Sequence, residues 1–341
     1  MLNVNQSRHP EDTVTYTEIQ YLNIPGDIAQ RIAAGNPPDV IMHHAPELPT
    51  FLEKNGPNSL LALNDFLTSP SEADILPNLY PELVADATID GQIYGLPHSV
   101  ICMNSWVYNK AVFAAHHLHP PTTLDEFRAV CQTLKAAGVN PIALFGLTYL
   151  LQDLAAAVMG IDAYASFMTG GAPDERLLGK AIDLFAEVMD NYVDLTLGGF
   201  SNSLPGLVSG QSAMYVSGDW AEGALEDLGW TPGVDFNIIF APGTQGLFMY
   251  TLEVLSVLSG TSHLQGALNF IDSAASLEGQ TGFNEYGKAV PARRDVDASQ
   301  LGSQRRFMVE GMTQAKRRLS VSPSLIWEGA IGSFLSSTPH D

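Results

Sequence analysis

The sequence predicts an α/β protein of two interwoven lobes, and three observations lead to this prediction. At 341 residues, of which 45% are hydrophobic and 16% charged, the chain exceeds the size at which one hydrophobic core usually suffices. Its N-terminal part has the pattern of strand, helix and strand, which builds a largely parallel sheet. The chain also shows no internal repeat, low-complexity tract or long flexible linker. We therefore expect strands that cross between the lobes rather than lobes strung in series.

The first predicted elements place two histidines at the end of a strand. Residues 13–19 are rich in β-branched and aromatic residues and predict a strand, and residues 24–34 predict a short amphipathic helix. A proline pair then forces an extended entry into a second strand at 39–42. Ligands of such sheets lie beyond the carboxyl ends of the strands, and His43 and His44 directly follow one.

Later segments give a helix with a clear start signal. Thr123 and Glu126 have the spacing of a capping box, and the residues after them place an apolar stripe on one helix face. The further predicted elements are extended segments at 93–97 and 100–108, helices at 174–190 and 264–275, and strands at 213–217, 236–240 and 252–258. The segment 100–108 is long enough to pass from one lobe to the other.

Composition excludes several classes of function. Thirty-seven acidic residues against 16 basic ones give a formal charge of -21, which repels phosphate backbones and argues against nucleic-acid binding. No apolar run is long enough to span a membrane, and residues 1–12 lack the features of a secretory leader. Cys102 and Cys131 belong to no metal-ligand motif, which favours buried free thiols over a disulfide.

Residues 214–221 (MYVSGDWA) are the most informative stretch. An apolar strand ends in Ser-Gly, and the next residues place a carboxylate beside an indole where a helix can start. Trp220 offers a flat apolar face to a sugar ring, and burial in the core is the alternative. Asp219 suits either the hydroxyl groups of a ligand or the N-cap of the helix.

The order of several short motifs resembles the extracellular solute-binding proteins of ATP-binding-cassette carbohydrate importers, most closely the branch that binds glucose-like sugars. The matching pieces are 34–40 (AGNPPDV), 90–97 (DGQIYGLP), 108–110 (YNK), 121–127 (PTTLDEF), 218–221 (GDWA), 276–280 (SLEGQ) and 288–293 (KAVPAR). Their order and spacing extend the resemblance over most of the chain from about residue 12 to residue 300.

The resemblance implies a two-lobed, periplasmic-binding-protein-like fold of type II with a hinge. It also implies a monomer that closes on a mono- or small oligosaccharide in an interlobe cleft and delivers it to a membrane permease, in the periplasm or outside the cell. Neither a cofactor nor a metal is implied. We expect lobe 1 to comprise residues 1–107 and 247–290, and lobe 2 residues 108–246 and 291–341.

Two departures from the family pattern affect these expectations. Members of the family usually begin with an exported leader, a first strand and a helix, and we expect that the chain as given lacks all three. Where glucose-type relatives carry a His-Arg pair, this chain has Ile101 and Cys102, and the aromatic residue that they often place near Thr148 is replaced, with Tyr149 next door. The identity of the sugar is therefore left open.

Candidate ligand contacts follow from the predicted strand ends and from the resemblance. His43 or His44 suits a neutral hydrogen-bonding imidazole. Glu253 lies in an otherwise apolar strand, where a position in the cleft would avoid the cost of a buried charge. The remaining candidates are Asn104, Trp106, Lys288 and Trp327, besides Trp220, Asp219 and Tyr149 above. For Trp106 the alternative is the core, and for Lys288 it is the solvated surface.

Two other kinds of function compete with sugar binding. A hydrolase of glycans needs two carboxylates across a cleft, and Asp219 with Glu253 is the pair that the sequence offers. A non-functional remnant is the other alternative, because a lobe without its first strand closes poorly. No nucleophile elbow, zinc-protease motif or phosphate loop points to other enzymes, so we expect a binding protein.

Overall fold

The computed structural model describes residues 1–19, 23–194, 196 and 200–321. It divides into two compact units: unit 1 comprises Met1–Val100 and Thr251–Leu301, and unit 2 comprises Ile101–Tyr250 and Gly302–Asp341, described up to residue 321. The chain thus passes between units after residues 100, 250 and 301, whereas the sequence predicted crossings after 107, 246 and 290. In the described residues no helix is both long and apolar enough to cross a membrane.

The described residues form both α-helices and β-strands. The α-helices are α1 (Leu2–Arg8), α2 (Ile24–Ala33), α3 (Leu48–Asn55), α4 (Asn64–Leu67), α5 (Ile75–Asn78), α6 (Pro81–Asp86), α7 (Lys110–Ala115), α8 (Leu124–Ala136), α9 (Leu147–Met159), α10 (Ile161–Met168), α11 (Glu175–Tyr192), α12 (Phe200–Val208), α13 (Ala221–Asp227), α14 (Leu264–Ala275), α15 (Leu277–Gly287) and α16 (Ser303–Gln314). The β-strands are β1 (Val40–His44), β2 (Thr88–Ile89), β3 (Gln92–Ile93), β4 (Leu96–Cys102), β5 (Ser105–Asn109), β6 (Asn140–Leu144), β7 (Ser212–Val216), β8 (Phe236–Phe240), β9 (Leu247–Val257), β10 (Val290–Pro291) and β11 (Arg317–Ser320).

The main sheet of unit 1 has the order β1-β9-β4-β10. Strand β1 runs antiparallel to β9, and β10 runs antiparallel to β4. The predicted strand at 13–19 is wrong: these residues form no regular element, and most of their side chains are exposed. Their β-branched composition favours a strand only where a neighbouring strand and a buried face are available.

Unit 2 is built on a sheet of order β6-β7-β5-β8. Strand β5 runs antiparallel to both β7 and β8, while β6 and β7 run parallel. The sequence predicted a largely parallel sheet from its N-terminal part, and this prediction is wrong: β1 and β10 pair antiparallel in unit 1, and β5 pairs antiparallel with both of its neighbours in unit 2. A large apolar core covers this sheet, and helices α8, α9 and α11 contribute Phe127, Leu154 and Phe185 to it.

Two smaller predictions are confirmed. Cys102 and Cys131 are free and buried, and burial raises the pKa of both thiols. At the start of α8 the Thr123 hydroxyl accepts a hydrogen bond from the backbone N–H of Glu126 at 3.2 Å, and the Glu126 carboxylate accepts from the backbone N–H of Thr123 at 3.2 Å. The predicted capping box is thus formed.

Replacing Thr123 by Ala should destabilise unit 2, because an N-cap hydroxyl typically contributes about 1 kcal/mol. Thermal denaturation followed by circular dichroism measures the effect. The control is Thr133→Ala on the same helix, whose hydroxyl donates to the carbonyl of Ala129 in mid-helix and should leave the midpoint nearly unchanged. A midpoint for Thr123→Ala equal to that of the control would contradict the cap.

Candidate functional site

The parallel pair β6 and β7 brings two aromatic residues to one edge of the sheet of unit 2. Leu144, the last residue of β6, lies opposite Val216, the last residue of β7. Phe145 follows β6 directly, and its backbone N–H donates to the carbonyl of Val216 at 2.9 Å. Trp220 follows β7 after a short turn. Because the carboxyl ends of parallel strands meet at the same edge, both rings lie there.

Three rings form a cluster at this edge, which we call the aromatic wall: Phe145, Tyr149 and Trp220. Their centroids are 5.4 Å (Phe145 to Tyr149), 5.5 Å (Phe145 to Trp220) and 5.6 Å (Tyr149 to Trp220) apart, and every pair meets edge to face. All three side chains are half-buried. Such contacts hold the rings rigidly while leaving part of their apolar surface free for a ligand.

A glycine lets the indole lie flat against the turn. A Cβ on Gly218 would stand 1.8 Å from Cζ3 of Trp220 and 2.4 Å from Cε3. No side chain fits there, because the ring of Trp220 lies against the backbone of Gly218. The glycine in the GDWA motif is explained by this close approach.

Asp219 is buried and bound within unit 2. Its side chain is 1% exposed; Oδ2 accepts from Nη1 of Arg305 at 3.0 Å, and Oδ1 accepts from the backbone N–H of Cys102 at 3.1 Å. Burial raises its pKa to about 6, although Arg305 acts to lower it. The predicted alternative of a helix N-cap is wrong, because Trp220 takes the N-cap position of α13 and no side chain caps it. Contact with ligand stays a prediction for Asp219, and the burial of its carboxylate argues against it.

Asn104 and Trp106 do not belong to the aromatic wall. Both are fully buried. Asn104 donates to Thr244 Oγ1 and to the carbonyl of Leu247, each at 3.0 Å, and accepts from the N–H of Met249 at 2.9 Å. These bonds use its donor and acceptor groups within unit 2, which leaves none of them directed at a ligand.

The indole of Trp106 belongs to the core, the alternative that the sequence left open. Its N–H donates to Oδ2 of Asp153 at 2.6 Å, and its ring packs edge to face on Phe127. Asp153 lies one turn after Tyr149 on α9. The bond therefore anchors the helix that carries one ring of the wall.

In unit 1 the structure brings His44 and Glu253 together. They are directly opposite each other in the register of β1 and β9, and both are half-buried. Burial lowers the pKa of His44, against the opposing effect of Glu47. Tyr16 lies near Glu253 and is largely exposed. Partial desolvation raises the pKa of its hydroxyl, with smaller contributions from Glu18 and Glu253.

His43, in contrast, points into unit 1. It is 4% exposed, Nε2 lies 2.8 Å from the hydroxyl of Ser256, and its ring packs on Phe51. Burial lowers its pKa to about 4, with a further contribution from His44. The ring is thus part of the packing of unit 1, and contact of His43 with a ligand stays a prediction.

Two candidates remain. Lys288 ends α15 in the left-handed region at φ 56° and is half-buried, so its predicted contact with a sugar oxygen stays a prediction. Trp327 lies outside the described residues. The predicted interlobe position of the ligand also stays a prediction.

Sequence reasoning missed Phe145, Arg305 and Glu222. Phe145 could have been found from the strand 140–144 that precedes it, once β6 was paired with β7. Arg305 is 1% exposed and lies far along the chain in α16, where no motif marks it. Glu222 stands two residues after Trp220 in the first turn of α13, and no local signal distinguishes it from other acidic residues at helix starts.

Comparisons with known proteins agree with this architecture. The model of the family described as bacterial extracellular solute-binding protein matches residues 6–305. The chain belongs to this family, whose members bind solutes and are not enzymes. The alternative of a glycan hydrolase is therefore not supported.

Curated relatives include an uncharacterized ABC transporter extracellular-binding protein of Pyrococcus horikoshii, 25% identical over 87% of this chain and 68% of its own length. A probable sugar-binding periplasmic protein of Mesorhizobium japonicum is 28% identical over 61% of this chain and 52% of its own length. The xylose/arabinose-binding protein XacG of Haloferax volcanii is 24% identical over 63% of this chain and 49% of its own length. The chain thus spans about half the length of the last two relatives.

Solved structures confirm the two-lobed periplasmic-binding-protein fold. A chitin oligosaccharide binding protein superposes with a TM-score of 0.77 at 21% identity, over 98% of this chain and 88% of that one. The bacterial solute receptor AcbH, described as preferring β-D-galactopyranose, superposes with a TM-score of 0.79 at 16% identity, over 99% of this chain and 89% of that one.

Replacing Gly218 by Ala should displace the indole of Trp220 and destabilise unit 2 by about 1 to 3 kcal/mol, as overpacking usually does. Near-ultraviolet circular dichroism and thermal denaturation measure the two effects. The control is Gly179→Ala inside α11, where a Cβ meets no atom within 4 Å and helix propensity should give a small gain. An unchanged aromatic spectrum and midpoint for Gly218→Ala would refute the close approach.

Acidification should destabilise unit 1 through His43. Its pKa falls from 6.5 in the unfolded chain to about 4 in the folded one, so the unfolded chain binds the proton more readily. The stability is present above pH 6.5 and is lost as the pH falls towards 4; at about pH 5 the loss is about 2 kcal/mol.

His43→Gln should therefore give a shallower fall in denaturation midpoint between about pH 7 and about pH 5 than the unsubstituted chain. The control is His119→Gln, whose side chain is exposed in a loop and should leave the slope unchanged. Equal slopes for the two variants would exclude His43 as the titrating group.

Proposed function

We propose that this chain is the carbohydrate-binding component of an ABC importer and that it binds a mono- or small oligosaccharide against the aromatic wall. The observation that carries the proposal is the set of three mutually edge-to-face rings, half-buried at the carboxyl ends of β6 and β7. A pyranose presents an apolar face of C–H groups, which packs on a flat aromatic ring, while its hydroxyl groups need polar partners.

The names of the relatives support a sugar as the solute. The Mesorhizobium relative is named a probable sugar-binding protein, and the Haloferax relative is named a xylose/arabinose-binding protein. Of the superposed proteins, one is named for binding chitin oligosaccharide and the other is described as preferring galactopyranose. These sugars differ in size and hydroxyl pattern. The shared feature is the class of solute, and the proposal names the class.

The name of the Pyrococcus relative supports delivery to a transporter. Under the proposal the chain acts outside the cytoplasmic membrane and its partner is a membrane permease. Ligand binding favours the conformation in which the protein makes the most contacts with the sugar. No bond in the sugar is made or broken.

Trp220→Ala should weaken sugar binding about tenfold or more, because a buried aromatic platform is typical of the residues that dominate binding energy. Tyr149→Ala should weaken binding less, since it leaves the Trp220 indole present and removes only a neighbouring ring that supports that indole. Isothermal titration calorimetry against a panel of pentoses, hexoses and short oligosaccharides identifies the sugar and measures both effects.

The matched control is Trp230→Ala, which removes an indole stacked on Phe236 elsewhere in unit 2. It should leave the affinity unchanged in protein that circular dichroism shows to be folded. The proposal fails if no sugar in the panel binds, or if Trp220→Ala and Trp230→Ala have the same affinity.

A further inference from the structure

A guanidinium buried with two carboxylates lies next to the turn that carries Trp220. Arg305, in the first turn of α16, donates from Nη1 to Oδ2 of Asp219 at 3.0 Å. It also donates from Nε at 3.0 Å and from Nη2 at 2.6 Å to Oε2 of Glu222. The exposed fractions of the three side chains are 1%, 1% and 4%.

The partners of Arg305 flank the indole along the chain. Asp219 precedes Trp220 and also binds the backbone of Cys102. The N–H of Cys102 donates to the Asp219 carboxylate, and the carbonyl of Cys102 accepts from the backbone N–H of Asp219 at 3.3 Å. Glu222 lies two residues after Trp220, in the first turn of α13. One guanidinium thus fixes the turn before the indole and the helix after it.

Burying ionised groups is costly, and such clusters are weak evidence for a gain in stability. Replacement by apolar residues is often neutral for the free energy of unfolding. Stability alone therefore does not explain why the cluster is present. A guanidinium presents its donors in a planar fork of fixed directions. It therefore sets the relative positions of the two carboxylates and of the residues between them.

We propose that Arg305 is a positioning residue that holds the Trp220 ring in the aromatic wall and thereby sets the affinity for sugar without contacting it. The second half of this statement rests on the proposed function; the first half does not. A binding surface needs its rings held to a fraction of an ångström by supporting groups, and Arg305 binds the carboxylates of Asp219 and Glu222, one on each side of Trp220 in the chain.

The test without ligand uses protein labelled with 5-fluorotryptophan. The sequence contains four Trp, and the fluorine resonance of Trp220 is the one lost in Trp220→Phe. Arg305→Lys keeps the charge but loses the fork, and it should shift or broaden the Trp220 resonance more than the other three. Glu222→Ala is the second variant, because it leaves one guanidinium with one carboxylate and so keeps the charges balanced; it should move the same resonance.

The matched control is Arg128→Lys, which alters a guanidinium paired with Glu187 between α8 and α11. It should leave the Trp220 resonance in place. If that resonance stays unchanged in folded Arg305→Lys and in Glu222→Ala, or if Arg128→Lys moves it equally, positioning by Arg305 is refuted.

The test with ligand is a double-mutant cycle measured by calorimetry with the sugar that the unsubstituted chain binds. Arg305→Lys should weaken binding about tenfold in the presence of Trp220 and by less than about twofold in the Trp220→Ala background. A purely structural role would weaken binding equally in both backgrounds, and that result would overturn the proposal.

The two proposals fail in different ways. Sugar binding that survives Trp220→Ala unchanged removes the proposed function and the effect on affinity together, while the fluorine resonance still decides whether Arg305 positions the ring. Sugar binding that depends on Trp220 but not on Arg305 keeps the proposed function and refutes the positioning residue alone.

Discussion

The ion cluster of Arg305, Asp219 and Glu222 is the constraint on which the organisation of unit 2 depends. Two carboxylates share one guanidinium with almost no access to solvent, and the balance leaves one excess negative charge. Burial accordingly raises the pKa of Asp219 to about 6 in spite of Arg305. The folded chain thus binds this proton more readily than the unfolded chain, and the contribution of Asp219 to stability is lost as the pH rises through 6. A cluster of this kind costs free energy at neutral pH, and it holds the turn between β7 and α13 in one geometry.

Buried polar groups at and just before β5 extend the same principle. Asn104 ties the start of β5 to Thr244 and to β9, and Trp106 ties β5 to α9 through Asp153. The bond of Trp106 reaches α9, the helix that carries Tyr149. Because unpaired polar groups are expensive in a core, each bond specifies where its element must lie.

Much of the local structure could be predicted from the sequence, whereas pairing between distant strands could not. The capping box at Thr123, strand β8 and helix α14 follow from local signals, and they lie where those signals place them. The strand at 13–19 and the parallel sheet were wrong, because composition does not reveal which strand a segment will meet. The sequence nominated Trp220 and Tyr149 as ligand contacts. It missed Phe145, because the position of Phe145 beside them depends on the pairing of β6 with β7. Arg305 stands more than eighty positions from its partners, and no spacing rule connects them.

Two of the motifs that resemble the family pattern make hydrogen bonds within unit 1. In 276–280, the Ser276 hydroxyl caps α15 by accepting from Gly279 at 3.0 Å, and Gln280 accepts from the N–H of Ala292 at 2.8 Å while donating to the carbonyl of Pro97 at 3.2 Å. One buried amide thus joins α15, the start of β4 and the residue after β10. In 288–293, Arg293 binds the carbonyl of Ala275 at 3.0 Å and the carboxylate of Asp295. These bonds hold parts of unit 1 together and do not by themselves point to a particular sugar. The residues that choose the sugar are to be sought where the scaffold leaves side chains half-exposed, and in unit 2 the aromatic wall is such a place.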